Sequence, residues 1–239
     1  MKTIAIMQPY VFPYIGYFQL IHAVDCFVIY DDVQWIQRGW INRNRVLLQG
    51  QTKTFTLPVS QGNRDDLIME RRLAPDFDKA AKKTMAWVVQ GYRNARKYRE
   101  VLPLVETCFA YRPSSMSDFV VHSLQKVCDF IGIGSPFLRA SDLKVDGQLK
   151  GQDRILAICS RLNATRYINP IGGAELYNAE SFRRAGIELR FLKARAAPYP
   201  QPGVSEFVPF LSIIDVLMNN PVERVREMLE DYELVEAGE

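Results

Sequence analysis

Histidine is scarce: His22 and His122 are the only two in 239 residues. Cysteine is limited to Cys26, Cys108, Cys128 and Cys159, and no two of these form a Cys-x-x-Cys pair. These shortages leave no ligand spacing for zinc and no Cys–His signature, and Gly-x-Ser-x-Gly is also missing. No metal is expected, and no particular cofactor is indicated. The thiols lie in apolar runs, which points to buried free cysteines in a reducing compartment. No apolar run reaches the ~18 residues of a membrane span. The longest, Val204 to Met218, is broken by Ser205, Glu206, Pro209, Ser212 and Asp215. The first residues carry one lysine and then Pro9 and Pro13, without a long apolar stretch, so a cytoplasmic protein with no secretory signal is expected. An excess of one charge is lacking too: 30 Lys+Arg against 27 Asp+Glu gives +3. Nucleic acid is therefore not an expected partner, since it calls for a clustered basic face; a transfer RNA stays admissible only as a donor of an activated group.

What is present is a core. Hydrophobic residues make up 48% and charged residues 24%, the balance of a soluble globular chain. Residues 3–8 (TIAIMQ) read as a buried strand, Pro9 and Pro13 bracket a stiff loop, and a helix follows from about Tyr14 to Ala23. Residues 26–30 (CFVIY) are a second buried strand, completing a βαβ unit. A hairpin is expected over Val46–Leu48 and Thr54–Val59 around Gly50. The pattern is helical from about Pro75 to Cys108 and again from Asp118 to Ile131, with serine caps before the second stretch and Gly132 after it. Strands are expected at 136–140, 166–168 and 187–192, with helices at 152–163 and 181–185. Two last helices, 207–218 and 222–232, close the chain. The resulting fold class is α/β: a Rossmann-like, mainly parallel sheet with a helical insertion. Residues 1–73 and 133–239 form its two parts, and 74–132 the insertion.

Ligands of open α/β sheets bind beyond the carboxyl ends of the strands. That rule gathers Gln8, Tyr10, Asp31 and Asp32 at one mouth. Gly16 in the first helical turn would let another group approach the backbone, and Tyr17 lies beside it. Asp31, Asp32 and Tyr10 are the candidate catalytic groups, an aspartate as base or amine ligand. Because neighbours in a strand point to opposite faces, one aspartate of the pair is expected to face the site. Residues 34–45 (QWIQRGWINRNR) interleave tryptophan, arginine and asparagine. Arg38, Arg43 and Arg45 offer planar forks for carboxylate or phosphate, and Asn42 and Asn44 offer amides. Asn169 to Gly173 (NPIGG) is a second strand-end loop; Gly172 and Gly173 expose backbone N–H groups that can cradle an anion. Lys150 and Asp153 precede the neighbouring helix and could reach the same area. The two histidines read as structural.

The run MQPYVFPYIGYFQLIHAVDCFVIYDDVQWIQRGWINRNRV strongly resembles the start of the WbqC-like family. RYINPIGGAELY and FVPFLSIIDVLMNN resemble its later motifs, so the likeness covers essentially the whole chain. Many members open the first motif with His-Gln-Pro, where this chain has Met7-Gln8-Pro9. The resemblance implies a place in bacterial O-antigen or other surface-polysaccharide synthesis, with transfer of glycine or another amino acid to a sugar. The implied partners are a sugar or nucleotide-sugar substrate and an activated acyl donor. The alternatives are a non-catalytic sugar-nucleotide-binding protein of the same pathway and an adenylating enzyme. For the latter, Tyr14-Ile15-Gly16-Tyr17 is similar to the HxGH segment of nucleotidylyltransferases and pantothenate synthetase, with tyrosines at both histidine positions.

Overall fold

A computed structural model describes residues 1–236. Its centre is a six-stranded sheet built from β1 (Thr3–Met7), β2 (Cys26–Ile29), β5 (Phe137–Arg139), β6 (Arg166–Pro170), β7 (Glu188–Ala194) and β8 (Tyr232–Glu236). The spatial order is β5-β2-β1-β6-β7-β8. All pairings are parallel except β7 with β8. Counting only these strands, the chain runs outward from β1 through β2 to β5, then returns to β6 on β1's other side. The direction of winding thus reverses between β1 and β6.

The strand residues alternate between two apolar layers, as a period of two requires. Ile4, Ile6, Cys26, Val28 and Tyr167 face one layer, with Ile155, Ile158, Cys159 and Phe182 from the helices α5 (Gly151–Arg161) and α6 (Ala179–Arg184). Ala5, Phe27, Ile29, Ile168 and Leu192 face the other. That layer holds α1 (Ile15–His22), α7 (Ile213–Asn219) and α8 (Val222–Glu230). Seven of the eight residues of α1 are buried, Ile15 through Ile21; a helix apolar all round is one enclosed on all sides. The Gln19 amide in its middle donates to the carbonyls of Met228 and Asp231, satisfying acceptors at the end of α8.

The β3 (Arg43–Leu48) and β4 (Gln51–Thr56) strands form a separate antiparallel hairpin. Three helices follow: α2 (Phe77–Tyr92), α3 (Tyr98–Ala110) and α4 (Met116–Ile131). Ser115 caps α4 by accepting the Asp118 N–H, and Gly132 ends it in a left-handed turn at φ 87°.

Three expectations need correction. The helical pattern from Pro75 to Cys108 is two helices, because the Lys97 N–H leaves the helical ladder to bond the Met218 carbonyl. The helix expected at 207–218 begins only at Ile213. Pro209 has no N–H to give, Phe210 is left-handed at φ 57°, and Ser212 is the N-cap. The last helix stops at Glu230 and the chain turns into β8, whose Glu236 pairs with Arg190 on β7 at 2.8 Å. Gly16 also has a different role from the one expected. A Cβ there would meet the Tyr14 ring and the Ala194 side chain, so the close approach it permits is from the protein itself.

Gly91, near the end of α2, backs onto β3, where a Cβ would collide with the Leu47 carbonyl oxygen. Helix propensity alone would make Gly91→Ala stabilising by about 1 kcal/mol. The clash is with backbone, so the expected result is the opposite sign, a loss of about 1–3 kcal/mol. Urea unfolding of the variant checks it, and a raised midpoint would contradict the packing described.

Candidate functional site

The reversal between β1 and β6 leaves a crevice at the carboxyl ends of those strands, where doubly wound sheets bind ligands. A cavity of about 300 Å³ occupies it, lined by residues from β1 and the loop after it (Met7, Gln8, Tyr10), from the end of β2 (Tyr30) and from α5 (Ile155). Asn169, Pro170, Gly172, Gly173, Leu176 and Tyr177 close the β6 side. Asn169 is next to last in β6, and its amide lies against Gly173 so closely that a Cβ there would collide with it. The Asn169 side-chain amide oxygen accepts from the Tyr167 hydroxyl at 3.0 Å, and that hydroxyl is 3.2 Å from the Tyr177 hydroxyl. Buried hydroxyls and amides thus run along one wall. Among the described residues no side chain lining this crevice carries a charge at neutral pH. Burial pushes the Tyr30 hydroxyl up to about 12 and raises those of Tyr10 and Tyr177 as well.

Tyr10 also lines a second cavity of about 320 Å³, shared with Pro13, Tyr14, Trp40, Asn44, Arg45 and Phe210. The Arg45 guanidinium lies 5.6 Å from the centre of the Trp40 ring and donates to the Phe210 carbonyl at 3.1 Å. Its buried Nε has no partner. Arg43, two residues earlier on the same strand face, lies 5.0 Å from that ring. Arg43 lines a third cavity with Arg38 and Asn42.

The expectation of a single cleft therefore resolves into parts. Gln8, Tyr10, Asn169, Gly172 and Gly173 come together, and Tyr10 links them to Asn44 and Arg45. Arg38, Asn42 and Arg43 line another hollow. Tyr17 is buried, its hydroxyl spent on the Gln8 carbonyl at 2.8 Å. Asn44 is buried and bonds the Val11 and Phe12 carbonyls. Lys150 and Asp153 are exposed at the start of α5 and line none of the three cavities. His22 is exposed and His122 stacks on Tyr111 at 4.1 Å.

The aspartate pair does not present a free base. Asp31 is wholly buried; its oxygens take Arg139 at 3.1 Å, the Ser141 N–H at 3.2 Å and the Ser141 hydroxyl at 3.1 Å. Arg139 goes on to Asp118 at 2.6 Å. Asp32 is locked to Arg154 on α5. Burial raises its carboxyl above the usual range, and Arg154 pulls it partly back. Neither aspartate lines the crevice. Sequence reading missed Tyr30 and Tyr177. The signal for Tyr30 was there, since it is the last residue before the aspartates at a strand end.

A sheet wound both ways from its first strand, with a neutral crevice at the switch point, defines a doubly wound α/β protein. Within that class, the chain belongs to the WbqC-like protein family, whose profile matches residues 8–227. It is similar to an uncharacterized protein of Mycobacterium tuberculosis, 27% identical over 223 residues that cover 92% of this chain and 94% of the relative. No solved structure matches the chain significantly. No helix among the described residues is long and apolar enough to cross a membrane, and no group of three or more His, Cys, Asp or Glu among them is arranged to hold a metal.

Asp31→Asn tests the structural role. It leaves Arg139 with one carboxylate and removes a buried charge pair. The expected loss is about 2–3 kcal/mol, less than the ~3–5 kcal/mol of a fully buried pair, because Arg139 is partly exposed and keeps Asp118. Thermal and urea melts measure it, and unchanged stability would return Asp31 to the list of catalytic candidates.

Proposed function

We propose that the protein binds a nucleotide sugar, with its sugar ring in the switch-point crevice, and transfers an acyl or aminoacyl group to an amino group on that sugar. The observation that carries this reading is the pairing of a neutral, tyrosine- and amide-lined crevice with an arginine held on tryptophan, joined through Tyr10. Aromatic faces and amides suit an uncharged polyol ring. The planar fork of Arg45 suits a phosphate next to it. The family's place in surface-polysaccharide synthesis, implied by the resemblance, fits the same substrate class.

The crevice also favours one acceptor. An unprotonated amine attacks an activated carbonyl without help. A new C–N bond forms, the bond from the carbonyl carbon to the donor's sulfur or oxygen breaks, and the proton on nitrogen ends on the leaving group or in solvent. A hydroxyl acceptor needs a general base. Because no carboxylate, histidine or lysine lines the crevice, the amino sugar is the better match. The same shortage favours one second reading, a non-catalytic sugar-nucleotide-binding protein. The adenylating alternative lacks support, since Tyr17, at one of the two histidine positions, has its hydroxyl committed to a backbone carbonyl.

Calorimetric titration with a panel of nucleotide sugars, followed by mass spectrometry after adding thioester and acyl-phosphate donors, separates these readings. The expected outcome is saturable binding, weakened about tenfold in Arg45→Lys, which keeps the charge and loses the fork. An acyl mass increment on amino-sugar nucleotides but not on their hydroxyl counterparts is expected with it. For nucleotide sugars without an amino group, affinity should be flat from about pH 6 to 9, because the lining tyrosines stay protonated there. Binding with no mass change across the donors supports the non-catalytic reading. Absence of binding across the panel would sink both.

A further inference from the structure

The third cavity is the largest of the three, at about 480 Å³, and takes Arg43 from β3 and Thr56 from β4 into its lining. Arg38, Arg43 and Arg71 converge on it. Their charges are poorly balanced. Only Arg71 has a carboxylate, Asp66 at 3.3 Å, and neither Arg38 nor Arg43 forms an ion pair with any described residue. Arg71 is 6% exposed, and its guanidinium is held by Asp66, by the Asn63 carbonyl at 2.5 Å and over the Trp35 ring. Its buried Nε still has no partner, and neither does the buried Nε of Arg43. An orphaned charged donor that deep costs free energy unless something accepts from it. Two arginines without carboxylate partners on one cavity call for an acceptor with several oxygens and negative charge.

We infer that this cavity is a second ligand site, one that takes a phosphorylated group with a polar body of nucleotide size. Phosphate rather than carboxylate follows from the charge: two arginines without carboxylate partners exceed what one carboxylate balances. A polar body follows from volume and lining. The space lies within the range of small-molecule sites, and Asn42 and Gln61 offer amides along its wall. Arg38 sits at the edge, exposed and in a left-handed backbone conformation at φ 60°, with its side chain free to close on an entering anion. If the transferase reading holds, this site would seat the phosphorylated part of the activated donor. The existence of the site does not depend on that reading.

Titration of the full chain with ADP, with and without Arg38→Gln, Arg43→Gln and Asn169→Ala, tests the inference. Wild type should bind ADP. Each arginine variant should weaken binding by tenfold or more, and Asn169→Ala, a crevice change, should leave it unchanged. Circular dichroism melts on the same preparations confirm that each variant is folded; Arg38, being exposed and unpaired, serves as the safe variant. No ADP binding, or equal binding in both arginine variants, overturns the inference. Loss of ADP binding in Asn169→Ala with none in the arginine variants also overturns it, by assigning the nucleotide to the crevice.

Discussion

One side-chain amide holds the parts of the site in register. Asn44, buried on β3, donates from its single nitrogen to the carbonyls of Val11 and Phe12 at 2.9 and 2.8 Å. Those carbonyls belong to the proline-bounded loop after β1, and Phe12 takes a left-handed conformation there at φ 41°. A bulky residue rarely adopts that conformation unless its surroundings enforce it. The Ser212 hydroxyl adds a third bond to the same loop, donating to the Phe12 carbonyl at 2.8 Å, and the Ile213 N–H donates to Pro13. The hairpin and the start of α7 thereby clamp the loop from two sides. Tyr10 faces the crevice and Tyr14 and Arg45 face the neighbouring cavity because of this clamp. Asn44 sits among arginines in sequence, yet its amide is spent on the backbone.

A second constraint shapes the electrostatics. The carboxyl end of β2 carries two aspartates, and the fold neutralises both with arginines from distant segments, Arg139 at the end of β5 and Arg154 on α5. Each pair ties a strand end to a neighbouring element and removes negative charge from the mouth of the crevice. The hairpin arginines are treated in the opposite way: Arg38 and Arg43 are left without counter-ions. The hollow lined by Arg38 and Arg43 therefore carries unbalanced positive charge, while the crevice itself is neutral.

Much of the fold was legible because its signals are local. Strands β1, β2 and β6 are short, mostly apolar runs with proline or aspartate at or just beyond their ends, and α4 has a serine cap, a 3.6-residue period and a terminal glycine. The misread elements depend on distant partners. Nothing near Lys97 announces that its N–H will bond Met218, and the acidic β8 becomes a strand by pairing with the arginine of β7. The site was legible in part for the same reason. Strand-end position brought Gln8, Tyr10, Asn169 and the two glycines together correctly, since it follows from topology. The aspartates shared that position but are consumed by Arg139 and Arg154, more than a hundred residues away, and no local pattern encodes such a pairing.

The central claim is that the loop, the hairpin and the β6 end together form one nucleotide-sugar site. A crystal structure with an amino-sugar nucleotide bound tests it most directly. The account predicts the sugar ring between Gln8 and Asn169, against Tyr10 and Tyr177, with a phosphate oxygen about 3 Å from the Arg45 guanidinium. A ligand found away from the β1–β6 switch point, or one whose phosphates make no contact with Arg45, would contradict it.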